Sequence, residues 1–425
     1  MVPVPLPCPR DARPMIEIDR RHLQSVYPFG RLNRLLDGVA PGAPGIEVAG
    51  HAPGEPVALH IGEPRNQPPA FVAEELTKAA AEWSRYPLPR GTPDYRKACA
   101  DWLTRRYRLP AAMIDPDTMI LPVPGTREGL FFTALVTAPA DGRAEGRGRG
   151  RAAILIPNPC YHVYCGAAVA AGAEPVFVSA TRETGFQPDY AALDPALLER
   201  TALAYFCTPS NPQGAVADLA QMQDLIRLAR GHDFTIAFDE CYAEIYTGDP
   251  PTGALQAAAA LGGGLDNVLA FHSLSKRSSA PGLRCGFAVG DPQKIAALDV
   301  ILATGGAGVP RPVLAAGTRL WREEAHVAAN RARYQENFAI AERVLGNRYN
   351  FRKPAGGFFL WLDVGDGEAA ALALWREAGI RVLPGAYMCQ SADGEENPGA
   401  PYIRIALIYD AAFTEAALRR VVEVL

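Results

Sequence analysis

The sequence predicts an α/β protein: a three-layer large domain built on a mixed, mostly parallel sheet, followed by a smaller α+β domain. Three observations predict it. Short apolar runs recur through the middle of the chain, helical patterns separate them, and past about residue 305 this alternation gives way to a long helical stretch and a few strands. A strand that reads as a continuous apolar run is buried on both faces, and helices between such strands supply the cover.

The runs are Ala152–Ile156 (AAILI), Pro175–Val178 (PVFV), Leu203–Cys207 (LAYFC), Thr235–Phe238 (TIAF), Val268–Phe271 (VLAF) and Gly286–Val289 (GFAV). Upstream of them, Pro124-Gly125-Thr126-Arg127 opens an apolar helical stretch, GLFFTALV. Asp218 is placed to cap a helix whose Leu219, Met222, Ile226 and Ala229 fall on one face. A helical stretch follows from roughly Val313 to Val344, then the alternating segment FRKPAGGFFLWLDV and a helix near Ala369–Ala378. Strands at RVLPG and YIRIALI and a closing helix with Phe413, Ala417, Val421 and Leu425 on one face complete the chain. The expected division is a Pro- and Gly-rich segment over 1–60, packed on the small domain or on a partner subunit, a large domain over 61–305 and a small domain over 306–425. Residues 141–151, DGRAEGRGRGR, read as a solvated surface insertion.

Composition excludes several classes of function. The 425 residues carry a formal net charge of -4, with 48% hydrophobic and 21% charged residues, and the arginines form no stripe. Nucleic acid is therefore not an expected partner. No run approaches the ~18 apolar residues of a membrane span, and MVPVPLPCPR lacks the basic-then-apolar order of a signal peptide. A cytoplasmic location is expected. The cysteines (Cys8, Cys99, Cys160, Cys165, Cys207, Cys241, Cys285 and Cys389) include no CxxC pair and no zinc-type Cys/His spacing. They read as free thiols in a reducing compartment, with no metal expected.

In a sheet of this kind the loops leaving the carboxyl ends of the strands form the ligand crevice. Here those loops read PNPCYHVY, TPSNPQG, DECY and SLSK, so each polar cluster directly follows an apolar run. Lys276 stands out, because the only other lysines are Lys78, Lys97, Lys294 and Lys353. A primary amine condenses with an aldehyde, and a guanidinium does not. Ser273, Ser275 and Arg284 around it suit a phosphate dianion, which the helix start at Thr126 and Arg127 also suits. Asp239 at the end of a buried strand needs a cation, and a protonated pyridine nitrogen supplies one. Tyr242 and Asn211 are of the right type to hydrogen-bond a ring oxygen, and Tyr161 to stack on the ring. An aldehyde, a phosphate, a ring nitrogen and a ring oxygen together describe pyridoxal 5'-phosphate.

With these residues in view, the sequence resembles the fold-type I class I/II aminotransferases from about Tyr27 to the C-terminus. The carriers are IGEP (61–64), RYPLPRGTPDYR (85–96), PGTREGL (124–130), PSNPQG (209–214), DECY (239–242), SLSKRSSAPGLRCGF (273–287) and YIRIAL (402–407). Within that family YPFGRL, GALQAA, VLPGAY and NPGAPYIRIAL are most similar to the succinyldiaminopimelate aminotransferases of bacterial lysine biosynthesis. The resemblance implies that Lys276 carries the cofactor as an imine and that Asp239 pairs with its nitrogen. It implies that Tyr242 and Asn211 hold the ring oxygen and that Tyr161 stacks. Thr126, Arg127, Ser273, Ser275 and Arg284 would hold the phosphate, with Tyr86 reaching the phosphate of a neighbouring subunit in a homodimer. Arg404 would clamp the substrate α-carboxylate, with Gly62 beside it.

The implied reaction moves an amino group from N-succinyl-LL-2,6-diaminopimelate or another amino acid to 2-oxoglutarate, with the freed Lys276 as general base. A lyase, decarboxylase or acyl-transferring synthase on the same scaffold is the alternative, and a transcription regulator with an aminotransferase-like domain is a more distant one. His162 departs from the proline frequent after this tyrosine, and TGGAGVPRP (304–312) is unusually rich in glycine. Arg65, Arg90, Arg277 and Arg311 remain open as partners for a distal carboxylate.

Overall fold

The computed structural model describes residues 27–48, 54–139, 150–306, 308–391 and 396–425. Most of the Gly/Arg-rich insertion, Cys8 and the first part of the N-terminal segment lie outside the described residues.

Seven strands form the main sheet: β2 (Ile120–Val123), β3 (Ala153–Asn158), β4 (Glu174–Ser179), β5 (Thr201–Cys207), β6 (Thr235–Asp239), β7 (Val268–Ser273) and β8 (Gly286–Gly290), in the order β2-β8-β7-β6-β5-β3-β4. The pairs from β4 to β7 are parallel, and β8 runs antiparallel to both of its neighbours. The apolar runs of the sequence are these strands. Both faces are buried, and side chains alternate between two cores: Ala204 and Phe206 enter the core of Trp102, Phe238 and Trp321, while Leu203 and Tyr205 enter that of Leu130, Tyr164 and Phe271. Strand β2 was not expected, since Pro122 lies within it. It pairs with β8 alone, at the sheet edge where proline is tolerated.

Asp218 caps Leu219–Gly231 through a reciprocal capping box with Gln221. Met222, Ile226 and Ala229 are buried as expected, but Leu219, in the first turn, is 37% exposed and does not join that face.

The helical stretch expected over 313–344 is two helices, Arg311–Arg322 and Ala325–Leu345. Glu323 is extended, and its carboxylate accepts hydrogen bonds from the backbone N–H groups of Ala325 and His326, which starts the second helix afresh. The first helix still packs in the main core through Leu314, Leu320 and Trp321. The second enters a separate core through Phe338, Ala341 and Leu345. The passage between cores thus comes at Glu323–Glu324, later than the change of sequence pattern near residue 305.

That second core lies under an antiparallel sheet of β9 (Phe359–Asp363), β12 (Tyr402–Ala406) and β11 (Leu383–Pro384), covered by the helices Gly367–Ala378 and Ala411–Val424. The RVLPG run is not one strand. Ile380–Arg381 (β10) pairs in parallel with Val57–Ala58 (β1), whereas β11 pairs with β12. Ile46, Val57 and Leu59 are buried in this same core.

Candidate active site

The carboxyl ends of β3, β5, β6 and β7 open onto a cavity of about 520 Å³. Pro28, Phe29, Ile61, Phe359 of β9 and Leu383 of β11 also line it. Each site residue expected from the sequence lines this cavity except Tyr86.

Lys276 sits in the helical turn Leu274–Arg277 that follows β7 directly, and Ser273 starts that turn by accepting the N–H of Ser275. Its Nζ donates to the carbonyl oxygen of Gly62 and lies 5.1 Å from the centre of the Phe358 ring. Burial lowers the pKa of this amine to about 8; Arg404 and Arg284 add to the effect, while Cys241 and Glu63 oppose it. A fraction of the lysine is therefore an unprotonated nucleophile near neutrality. Gly62 permits the approach, since a Cβ there would meet the Phe359 ring at 2.4 Å.

Asp239 is 3% exposed at the end of β6. Burial raises its pKa, opposed by the hydroxyl of Tyr164, which donates to Oδ2 at 2.8 Å, and by Cys241, whose N–H reaches Oδ1 at 3.2 Å. No arginine, lysine or histidine forms an ion pair with it among the described residues. Tyr164 was missed in the sequence. It follows Tyr161 by one helical turn in the quoted PNPCYHVY, which was the signal available.

Arg404 projects from β12 and is 4% exposed. Its Nη1 donates to Asn211 Oδ1 at 2.9 Å and its Nη2 to the carbonyl of His60 at 2.7 Å, while Nε has no hydrogen-bond partner among the described residues. Burial brings its pKa down to about 10. Asn211 thus holds the guanidinium with its oxygen and keeps its amide nitrogen for the cavity. Tyr242 packs edge-on against Phe358 and Phe359.

At the other end, the helix Thr126–Thr137 begins with no side-chain cap, which leaves its N–H groups available. Gly125 has φ +96°, and a Cβ there would stand 2.3 Å from Arg284 Nη2, so glycine is required for the guanidinium to lie over this helix start. Arg284 also donates to Pro124 O at 2.9 Å and pairs with Glu128 at 3.0 Å. Ser273 and Ser275 hydroxyls are 3.0 Å apart, and Arg127 Nε donates to Tyr161 Oη at 2.8 Å. His162 lines the cavity edge-on to Tyr27 and Tyr161, and burial holds its pKa down at about 4.

None of the four arginines left open in the sequence lines the cavity. Arg65 lies over Tyr409, Arg90 pairs with Asp299, Arg311 with Glu82, and Arg277 is buried between Trp102 and Trp321 with Glu324 on its Nη2. Tyr86 is 94% exposed on the surface, its carbonyl accepting from Arg311.

The arrangement fits pyridoxal 5'-phosphate. A buried carboxylate with no ion-pair partner among the described residues suits a protonated ring nitrogen, an uncapped helix start beside Arg284 and two serine hydroxyls suits the phosphate, and an amine of lowered pKa lines the same cavity. No group of three or more potential metal ligands occurs among the described residues.

Residues 55–425 match the family model for aminotransferase class I and II. The chain is 32% identical to 4-dedimethylamino-4-oxo-anhydrotetracycline transaminase OxyQ of Streptomyces rimosus, over 82% of this chain and 88% of that one. It is 31% identical to LL-diaminopimelate aminotransferase of Moorella thermoacetica, over 87% and 90%. The crystal structure of an aminotransferase from Neisseria meningitidis superposes with a TM-score of 0.85 at 38% identity, covering 93% of this chain and 97% of that one. The chain belongs to the class I and II aminotransferases, and is a pyridoxal-phosphate-dependent transaminase of that family.

Proposed function

We propose that this transaminase exchanges an amino group between a diaminopimelate-type donor, N-succinyl-LL-2,6-diaminopimelate in the first place, and 2-oxoglutarate, in lysine biosynthesis. Similarity to LL-diaminopimelate aminotransferases supports the diaminopimelate skeleton, and the YPFGRL, GALQAA and VLPGAY stretches support the succinyl form. The observation that carries the reading is Arg404: a buried guanidinium with an unpartnered Nε beside a lysine of lowered pKa, in one cavity, suits an α-amino acid held by its carboxylate.

When bound, the cofactor supplies an aldehyde for amines and a ring that withdraws electrons from the substrate's Cα. Lys276 is the residue that would hold it through its amine, and the free amine would take the substrate's Cα proton as general base. The Gly62 carbonyl, which accepts from Nζ, gives the freed amine a fixed direction. Asp239, held by Tyr164 and Cys241, keeps a proton on the ring nitrogen. Tyr242 and the Asn211 amide nitrogen would bond the ring oxygen, and Tyr161 would cover the ring. Thr126, Arg127, Ser273, Ser275 and Arg284 would hold the phosphate. Tyr86, exposed on the single chain, would reach the phosphate of a second copy, which in this reading makes the working unit a homodimer.

No described helix is long and apolar enough to cross a membrane; a cytoplasmic location is part of the proposal. The test is borohydride trapping followed by peptide mass analysis, together with a donor panel of N-succinyldiaminopimelate, diaminopimelate and N-acetylornithine scored by glutamate formation. A reduced adduct on Lys276, absent in Lys276→Ala, is expected. Glutamate formation should be fastest with the succinylated donor. An adduct elsewhere removes the lysine role, and a donor outside this panel turning over faster removes the substrate. Accumulation of the cofactor's amine form with glutamate excludes the lyase, decarboxylase and synthase alternatives.

A further inference from the structure

Behind Lys276 the turn 276–279 is gripped by the segment in which the chain passes from the main core to the second one. Arg277 donates to Leu320 O at 2.7 Å and to Glu324 Oε1 at 2.7 Å, and Ser278 Oγ is 2.9 Å from His326 Nε2. Asn330, four residues further along the helix Ala325–Leu345, is 8% exposed. Its Nδ2 donates to the carbonyl of Lys276 at 3.0 Å and to that of Arg277 at 3.3 Å. Its Oδ1 accepts from Ser279 Oγ at 2.9 Å and from Asn66 Nδ2 at 3.3 Å. Both amide donors and both lone pairs are used, which settles the orientation of the amide.

Asn66 is on the loop that carries Gly62, and the Gly62 carbonyl accepts from Lys276 Nζ. A closed circuit results. Lys276 is held at its backbone by Asn330, Asn330 is held by Asn66, and the Asn66 loop presents the carbonyl that receives the lysine's amine. The loop cannot slide easily, because Gly62 lies against the Phe359 ring so closely that a Cβ would sit 2.4 Å from it.

We propose that Asn330 is a positioning residue for proton transfer: it locks the turn behind Lys276 and the Gly62 loop in front of it into one unit, so that the freed amine returns to a single position over the substrate's Cα. This rests on the assignment of Lys276 as the base. A helix rooted in the second core thereby holds the lysine of the main core, so seating of a carboxylate on Arg404 in β12 and the aim of the amine depend on the same packing. A misplaced base slows proton transfer while leaving carboxylate binding largely intact.

The experiment uses the cofactor-loaded Asn330→Ala and Asn66→Ala enzymes. Pre-steady-state absorbance follows the first half-reaction with an α-protiated and an α-deuterated amino donor, and amide hydrogen exchange is read on the 274–280 peptide. Two of the Asn330 hydrogen bonds hold the backbone of the turn, at the carbonyls of Lys276 and Arg277; at about fivefold per such bond, Asn330→Ala is expected to slow this step by about 5- to 25-fold. The deuterium isotope effect should rise and apparent donor affinity should stay within about twofold. Asn66→Ala, from a half-buried residue, should slow it less and still speed exchange at 274–280, which Asn66 does not touch. Its effect should vanish in the Asn330→Ala background. An unchanged isotope effect in both variants, or faster exchange without slower proton transfer, overturns the proposal. If Asn330→Ala does not fold, Asn66→Ala decides alone by the same readings. Hydride trapping at position 276 in each variant separates the two levels: loss of the adduct from wild type refutes the lysine assignment, whereas an intact adduct with unaltered kinetics refutes only the role of Asn330.

Discussion

Glu240→Gln is expected to stabilise the protein above neutral pH while doing nothing at pH 4.5. Glu240 follows Asp239 in sequence but points to the opposite face of the sheet, where it is 2% exposed. Its Oε1 accepts the N–H of Ala254 at 2.6 Å and its Oε2 the hydroxyl of Tyr107 at 2.8 Å. His272 Nε2 lies 3.4 Å from Oε2 and has no hydrogen-bond partner. Burial raises the Glu240 carboxyl from 4.5 to about 7, against the pull of those two donors and of Arg106, with Asp239 adding to the rise. Burial also lowers His272 to about 3, with Arg106 and Arg277 adding to it, so the imidazole is neutral and the contact is no ion pair.

Between pH 4.5 and about 7 the folded carboxyl binds a proton that the unfolded chain releases. Stability therefore falls as pH rises through that window. A shift from 4.5 to about 7 is 2.5 units, and at ~1.36 kcal/mol per unit the loss is about 3 kcal/mol. Glutamine has no such proton to lose. Its carbonyl can accept from Ala254 while its NH2 group faces the Tyr107 oxygen and the unpartnered His272 nitrogen, so the packing is kept. Urea unfolding of both proteins at pH 4.5, 6, 7 and 8 gives the difference directly, with every other titrating group cancelling. It should grow from near zero to about 3 kcal/mol in favour of the variant. A difference that is flat across pH would show that Glu240 titrates normally, and the account of this buried carboxyl would be wrong.

Three further outcomes are expected. Arg404→Ala should lower kcat/KM for the amino donor by a factor of about 30 to several thousand, the range for truncating one side of a buried charge pair, while the reduced adduct on Lys276 persists; steady-state kinetics with a change below about threefold would remove the carboxylate role. Gly125→Ala puts a methyl group 2.3 Å from Arg284 Nη2 at a φ of +96°, and should weaken cofactor retention by about tenfold or more in an equilibrium absorbance titration; undiminished retention would show that this helix start is not the phosphate seat. Asp218→Ala removes the capping box at a helix far from the cavity and should cost about 1 kcal/mol of stability in urea with kcat unchanged.

Lys276, Asp239, Asn211 and Ser273 were legible from sequence for one physical reason. A strand buried on both faces reads as an unbroken apolar run, so the polar cluster that follows it marks the sheet rim, and parallel strands bring successive rims together. Strand β2 escaped because Pro122 argues against a strand anywhere but at an edge, and nothing local says which strand is the edge. The break at Glu323 escaped because the apolar spacing continues across it while the two helices serve different cores. Arg277 is the sharper case. It adjoins Lys276 and is of the type that binds carboxylates, yet it is aimed away from the cavity, between Trp102 and Trp321. Residue type announced the charge, and only packing decided the face.

The same distinction separates cofactor from substrate. The residues suited to the cofactor nearly all sit on the rim of one sheet, where short-range order dictates position. The residues proposed to aim the lysine and seat the carboxylate do not: Asn330 is 54 positions from Lys276, and Arg404 is 193 from Asn211. Their contacts exist only when the second core has docked on the first, and no local pattern encodes that docking. A cavity divided in this way lets the second core change which amino acid is seated without disturbing the cofactor contacts made by the first. Donor choice should accordingly respond to substitutions around His60, Ile61, His162 and Met388 far more than cofactor affinity does.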